Sequence, residues 1–177
     1  MDWDERLFAF LDDLEQQAEA LYDADRAGEL ADRSRSEYAG VGLASRLMAS
    51  VDAQITLDLV GVGPVGGVLQ RVGPDWCLVH GATQDWVIRL AAVASVDGAS
   101  ARAVPEIAWS PVARLGLASA LRRLADTGRP CRLHATDGTV RDGVLTRVGR
   151  DFVEVVTSAD RVVLLALGVL AAVQRRS

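Results

Sequence analysis

At 177 residues, half of them apolar and 24% charged, the chain suits one medium domain or two very small ones, with the composition of an ordinary folded body. No apolar run reaches the roughly 18 residues of a membrane helix, the opening Met1-Asp2-Trp3-Asp4-Glu5 is acidic where a signal peptide is basic, and two cysteines are too few for a disulfide scaffold. A cytoplasmic protein that meets no membrane is expected. The net charge of −5 conceals a gradient: residues 1–50 carry −7, residues 51–100 carry −3 and residues 101–177 carry +5. All 19 basic residues are arginine, a side chain that makes forked contacts with phosphate or carboxylate.

Residues 1–50 form a helical region. Asp2 or Asp4 caps a helix beginning near Trp3, and Leu7, Leu11, Leu14, Ala18 and Leu21 mark one apolar stripe at steps of three and four. Asp12, Asp13, Glu15, Glu19 and Asp23 occupy the other side. After Gly28 the pattern resumes through Leu30, Ser34, Tyr38, Val41, Ser45 and Met48. One long helix and a hairpin hinged near Gly28 both fit. The stripe either binds a partner or a second copy, as in a homodimer, or packs on the rest of the chain.

Beyond residue 50 the sequence resembles itself at an offset of 76 residues. Gly67-Val68-Leu69-Gln70-Arg71-Val72-Gly73-Pro74-Asp75-Trp76 falls on Gly143-Val144-Leu145-Thr146-Arg147-Val148-Gly149-Arg150-Asp151-Phe152, with eight of ten pairs identical or aromatic for aromatic. Each copy reads as five short strands, near 54–61, 65–73, 75–81, 85–90 and 93–97, then near 130–136, 139–148, 151–157, 161–166 and 169–174. Asp137-Gly138 signals a tight hairpin, and Gly67 and Gly143 permit a bend inside the second strand of each copy. Five strands bent at a glycine suggest a small closed barrel, since closure removes exposed edges.

Between the copies, Ala99–Ala108 is a linker, Ser110-Pro111 opens a helix, and Leu117, Leu121 and Leu124 give that helix its apolar stripe. Gly128 ends it in a left-handed cap. The expected class is α+β: a helical arm or hairpin at 1–50, a first barrel at 51–98, a linker and helix at 99–128, and a second barrel at 129–177.

A helix followed by a bent five-stranded barrel resembles the Sm-like fold, a small SH3-like barrel. The stretch Cys131-Arg132-Leu133-His134-Ala135-Thr136-Asp137-Gly138-Thr139-Val140-Arg141-Asp142-Gly143-Val144-Leu145 is similar to the first Sm motif, and Ile88-Arg89-Leu90 to the arginine-containing segment of the second. The resemblance implies two divergent tandem copies. Family members assemble into rings and bind single-stranded RNA through an aspartate and an asparagine of the first motif and an arginine and glycine of the second. Here the aspartate falls at Gly73 and Gly149, the asparagine at Cys77 and Val153, and the glycine at Leu90. Arg89 alone matches, while the second copy has Leu164 or Leu165 in its place, so the implied RNA pocket is mostly dismantled.

Chemistry-bearing patterns are few. Cys77-x-x-His80 and Cys131-x-x-His134 offer zinc-ligand types, but residues three apart on a strand point to opposite faces and do not converge. Neither cysteine comes with an orienting acid for nucleophilic catalysis, and Gly61-x-Gly63 with Gly66-Gly67 lacks the lysine of a phosphate loop. No enzyme, metal or cofactor is expected. Arg114, Arg122, Arg123, Arg129, Arg132, Arg141, Arg147 and Arg150 crowd residues 114–150; with Arg89 they would serve nucleic acid or an acidic partner if they share a surface. Trp109 either anchors a partner or docks the linker. The leading reading is a non-enzymatic adaptor or regulatory protein acting through protein partners or self-association; the alternative is an RNA- or DNA-binding regulator using the 114–150 arginines.

Overall fold

The computed structural model describes residues 35–176 continuously, with Gln16, Glu19, Tyr22, Arg26 and Arg33 upstream of them. The chain divides into two units, Met1–Val41 and Gly42–Ser177. In the first, those five residues and 35–39 are helical and exposed. The leucine stripe from Leu7 to Leu21, its capping aspartates and the hinge at Gly28 lie outside the described residues, as does the choice between a long helix and a hairpin.

The second unit opens with a short helix, α1 (Leu43–Met48), which sends Leu47 into the core. Five strands follow: β1 (Gln54–Leu59), β2 (Gly63–Val72), β3 (Trp76–His80), β4 (Gln84–Arg89) and β5 (Val93–Asp97). After the linker comes α2 (Leu117–Asp126), then β6 (Pro130–Ala135), β7 (Val140–Val148), β8 (Phe152–Thr157), β9 (Val162–Ala166) and β10 (Leu170–Arg176). Every strand lies within two residues of its expected position. Alternation explains them locally: β1 buries Ile55, Leu57 and Leu59 and exposes Thr56 and Asp58. In β2 a bulge between Leu69 and Arg71 resets the phase so that Val72 returns inward, and β7 carries a bulge between Leu145 and Arg147. At Gly67 and Gly143 the neighbouring strand passes so close that a Cβ would run into the carbonyls of His80 and Val156.

The assembly of these strands corrects the expected architecture. They do not form two small closed barrels, and the Sm-like fold is not what the chain adopts. All ten join one antiparallel sheet in the order β5-β1-β2-β3-β4-β10-β6-β7-β8-β9, whose end strands β5 and β9 each pair on one side only among the described residues. The similar segments 51–98 and 129–177 are therefore parts of one sheet, not tandem independent units. The physical cause is the junction of β4 with β10, where Val87 pairs with Val173 and Ile88 with Ala172. Each of these strands satisfies its outer hydrogen-bonding edge on the other, which removes the need to curl back and close.

That junction also serves two cores. Ile88 and Ala172 face the first, built around Leu47, Ile55, Leu57, Leu69 and Val79. Val87 and Val173 face the second, built around Leu121, Leu133, Leu145, Val153 and Val155. Because successive side chains point to opposite faces, the two cores meet the central strands from opposite sides.

The helix expected from Ser110-Pro111 starts seven residues later. The Ser110 hydroxyl accepts the Ala113 N–H at 3.3 Å and sustains only a turn. The Trp76 indole N–H then donates to the Leu115 carbonyl at 2.8 Å, and Asp75 accepts the Leu117 N–H at 2.8 Å, so the first helical turn is anchored to β3 and its preceding loop. Gly128, at φ +59°, follows the helix as expected.

Candidate functional site

A half-open groove of about 1050 Å³ opens in the second unit. Its floor is one face of the central strands: Trp76 and Leu78 from β3, Val87 from β4 and Val173 from β10. This is the face that further along carries the second core. α2 forms one wall with Leu124 and the exposed Arg122 and Arg123; the ends of β7 and β2 contribute Arg147, Val148, Arg71 and Val72; and linker residues Val112 and Leu115 form a lip. An apolar floor under a guanidinium rim follows from this packing. α2 spends Leu117 and Leu121 on the core, so the next residues along it face outward.

At the floor's polar end, the Asp85 carboxylate bridges the His80 imidazole and the Arg175 guanidinium. It accepts from His80 Nδ1 at 2.6 Å and from an Arg175 terminal nitrogen at 3.0 Å. Asp85 is thus matched within the fold. Arg71, Arg122, Arg123 and Arg147 form no ion pair among the described residues, and Asp126 is the one further carboxylate lining the groove.

The arginines singled out in the sequence do not form one surface. Arg122, Arg123 and Arg147 meet at the groove, joined by Arg71, which the internal repeat pairs with Arg147, and by Arg175; both lie outside the 114–150 cluster. Arg89 donates to the Leu170 carbonyl at 2.7 Å and the Gly168 carbonyl at 2.6 Å, clasping the turn before β10. Arg114 is bonded to the Ile107 carbonyl at 2.8 Å. Arg132 makes a two-pronged pair with Asp142 at 2.7 and 3.0 Å, which raises its pKa. Arg141 stands close enough to Asp137 to help lower that carboxyl, whose main cause of depression is the Thr139 N–H at 2.8 Å. Arg129 and Arg150 are exposed in the turns before β6 and β8. Trp109 is 5% exposed, and its indole N–H is held by the Val104 carbonyl at 2.9 Å, a bond within the linker itself.

Cys77 and His80 lie on opposite faces of β3, one buried and one exposed. Burial pushes the Cys77 thiol up to about 12 and, less completely, Cys131 up to about 11, the opposite of an activated nucleophile. On the other face of the central strands His134 Nε2 meets the Gln174 side chain at 2.9 Å, Gln174 bonds Gln84, and Trp86 stacks at a tilt against His134. Among the described residues no group of three or more His, Cys, Asp or Glu is placed to hold a metal, and no helix is long and apolar enough to cross a membrane.

The sheet's ends are the other open feature. β9 leaves Val162 and Leu164 more than 60% exposed, and no described strand covers its outer edge or that of β5.

Comparison with known proteins returns no family whose sequence model matches the chain and no curated protein that aligns with it significantly.

Proposed function

We propose that the protein is a non-enzymatic adaptor that works by associating with polypeptide chains, the first of them a second copy of itself joined through the free strands β9 and β5. The observation that carries this reading is the β4–β10 junction, which supplies a template. β4 pairs with β3 as Leu78 with Val87, and β9 pairs with β8 as Glu154 with Leu164. β10 pairs with β6 as Val173 with Leu133, and β5 pairs with β1 as Val96 with Leu57. Carrying the register of Val87 on Val173 to the ends sets Leu164 of one copy opposite Val96 of the next. An exposed leucine then becomes a buried apolar pair, and a row of free backbone groups gains partners. Pairing unlike edges is heterologous and propagates until the assembly closes or remains an open chain.

The test is mass in solution over a range of protein concentrations, by light scattering or sedimentation. Wild type should self-associate, and Leu164→Arg, at an exposed position, should weaken association at least tenfold without changing the melting temperature by more than a degree or two. A wild type that stays monomeric at 100-fold dilution and at its highest soluble concentration alike refutes the edge reading.

A nucleic-acid reading has less support. Of the eight arginines between 114 and 150, three gather at the groove, while Arg114 and Arg132 are already bonded within the fold. Of the two aromatics close to them in sequence, Trp109 is buried and Phe152 half-buried.

A further inference from the structure

We infer that the groove between the central strands and α2 is a docking site for an acidic amphipathic α-helix of another protein. This inference is independent of the sheet edges. Charge identifies the partner's sign: Arg71, Arg122, Arg123 and Arg147 face a groove whose uncommitted acid is Asp126, in a chain with a net charge of −5. The positive rim is thus local, not a by-product of a basic protein.

Its distribution identifies the partner's size. The four guanidiniums come from β2, α2 and β7, on different walls, instead of converging on one point. They suit several carboxylates spread along a polymer better than a single anionic headgroup. The volume of about 1050 Å³ lies at the upper limit of small-molecule clefts, which hold roughly 300–1,000 Å³. Val112, 63% exposed, and Leu115, 49% exposed, extend the apolar path beyond the floor at the lip.

The floor identifies the partner's conformation. β3, β4 and β10 are each paired on both sides, so their backbone offers a guest no hydrogen bonds. A segment entering an apolar groove without strand partners has to satisfy its own amides, and a helix does so. Its apolar stripe would lie on Trp76, Leu78 and Val87, and its flanking Asp and Glu would meet the arginines on either wall.

The experiment uses the full chain and a fluorescein-labelled 18-residue amphipathic helix of Leu, Ala and Glu, beside a twin with Lys for every Glu. Anisotropy should show the acidic peptide binding at least tenfold more tightly than its twin, with affinity falling as salt rises. Arg122→Glu/Arg123→Glu and, from β2, Arg71→Glu should each cost tenfold or more while leaving the circular dichroism melt in place. Equal binding of the two peptides, or an acidic peptide indifferent to both variants, overturns the inference. So does displacement of the peptide by laurate or by single-stranded RNA at lower concentration than by unlabelled peptide, which would assign the groove to a lipid or a nucleic acid.

Discussion

Asp75 should be worth far more to this fold than an exposed turn aspartate ordinarily is. Its backbone carbonyl accepts the Leu90 N–H at 2.9 Å, as the Asp151 carbonyl accepts the Leu167 N–H at 2.7 Å, so the two residues do the same backbone work in their turns. Their side chains differ. Asp75 Oδ1 reaches 42 positions along the chain to the Leu117 N–H at 2.8 Å, at the start of α2. That helix begins after Gly116, which has no capping side chain of its own. The carboxylate therefore acts as a cap supplied from another element, satisfying an otherwise orphan donor and complementing the positive end of the helix. Losing a cap costs about 1 kcal/mol and up to 2, and a carboxylate at a helix N-terminus adds about 0.3–1 kcal/mol. Asp75→Ala should cost about 1–2 kcal/mol, which for this size of unit lowers the melting temperature by roughly 4–8 °C. Asp151→Ala, whose side chain makes no hydrogen bond among the described residues, should stay within about 0.5 kcal/mol, as surface substitutions do. Urea titrations followed by circular dichroism measure both. Equal effects for the two substitutions would refute the cap.

Two further outcomes follow from the cores. Replacing Leu121, fully buried under α2, by Ala should destabilise by about 2–5 kcal/mol in the same urea titration, and a cost below 1 kcal/mol would mean that α2 is not seated on the second core. The Cys77 thiol is pushed from its ordinary 9.0 to about 12 by burial. Its contribution is fully present below pH 9 and is lost as pH rises towards 12, because only the unfolded chain ionises there; stability should fall by about 1.4 kcal/mol per pH unit in that window, and Cys77→Val should flatten the slope.

The local structure was legible because each strand carries its own period. Ile55, Leu57 and Leu59 alternate, Asp137-Gly138 marks a hairpin that the structure contains, and the glycines at 67 and 143 sit where backbones pass closely. The larger architecture was not legible from the same signals, because a small barrel and one half of an open sheet place the same demands on five strands. One stretch did carry the difference. Leu170-Ala171-Ala172-Val173 does not alternate; all four residues are buried. A continuous apolar run belongs to a strand covered on both faces, and a barrel with a solvated outside has no use for one. The adjacent burial of Val87 and Ile88 makes the same point for β4. The candidate site was less legible still. A run of arginines between 114 and 150 describes proximity in sequence, whereas the groove assembles arginines from residue 71 to residue 175 and leaves Arg132 and Arg114 occupied elsewhere.

Edges and groove lie on different parts of one sheet, and this separates the two proposed contacts. β5 and β9 stand at the two ends of the strand order, while the groove floor comes from β3, β4 and β10 at its middle. Pairing β9 with a neighbouring β5 extends the sheet in its own plane and adds nothing above the floor. An assembly built through the edges would therefore present one groove per copy, each facing away from the sheet and open to a helix. For a partner that carries several acidic helices on one chain, binding of the first raises the effective concentration of the others at the neighbouring grooves. On the proposed reading, modest affinity in a single groove would rise to strong capture of such a partner once the edges join, without any new contact in the groove itself.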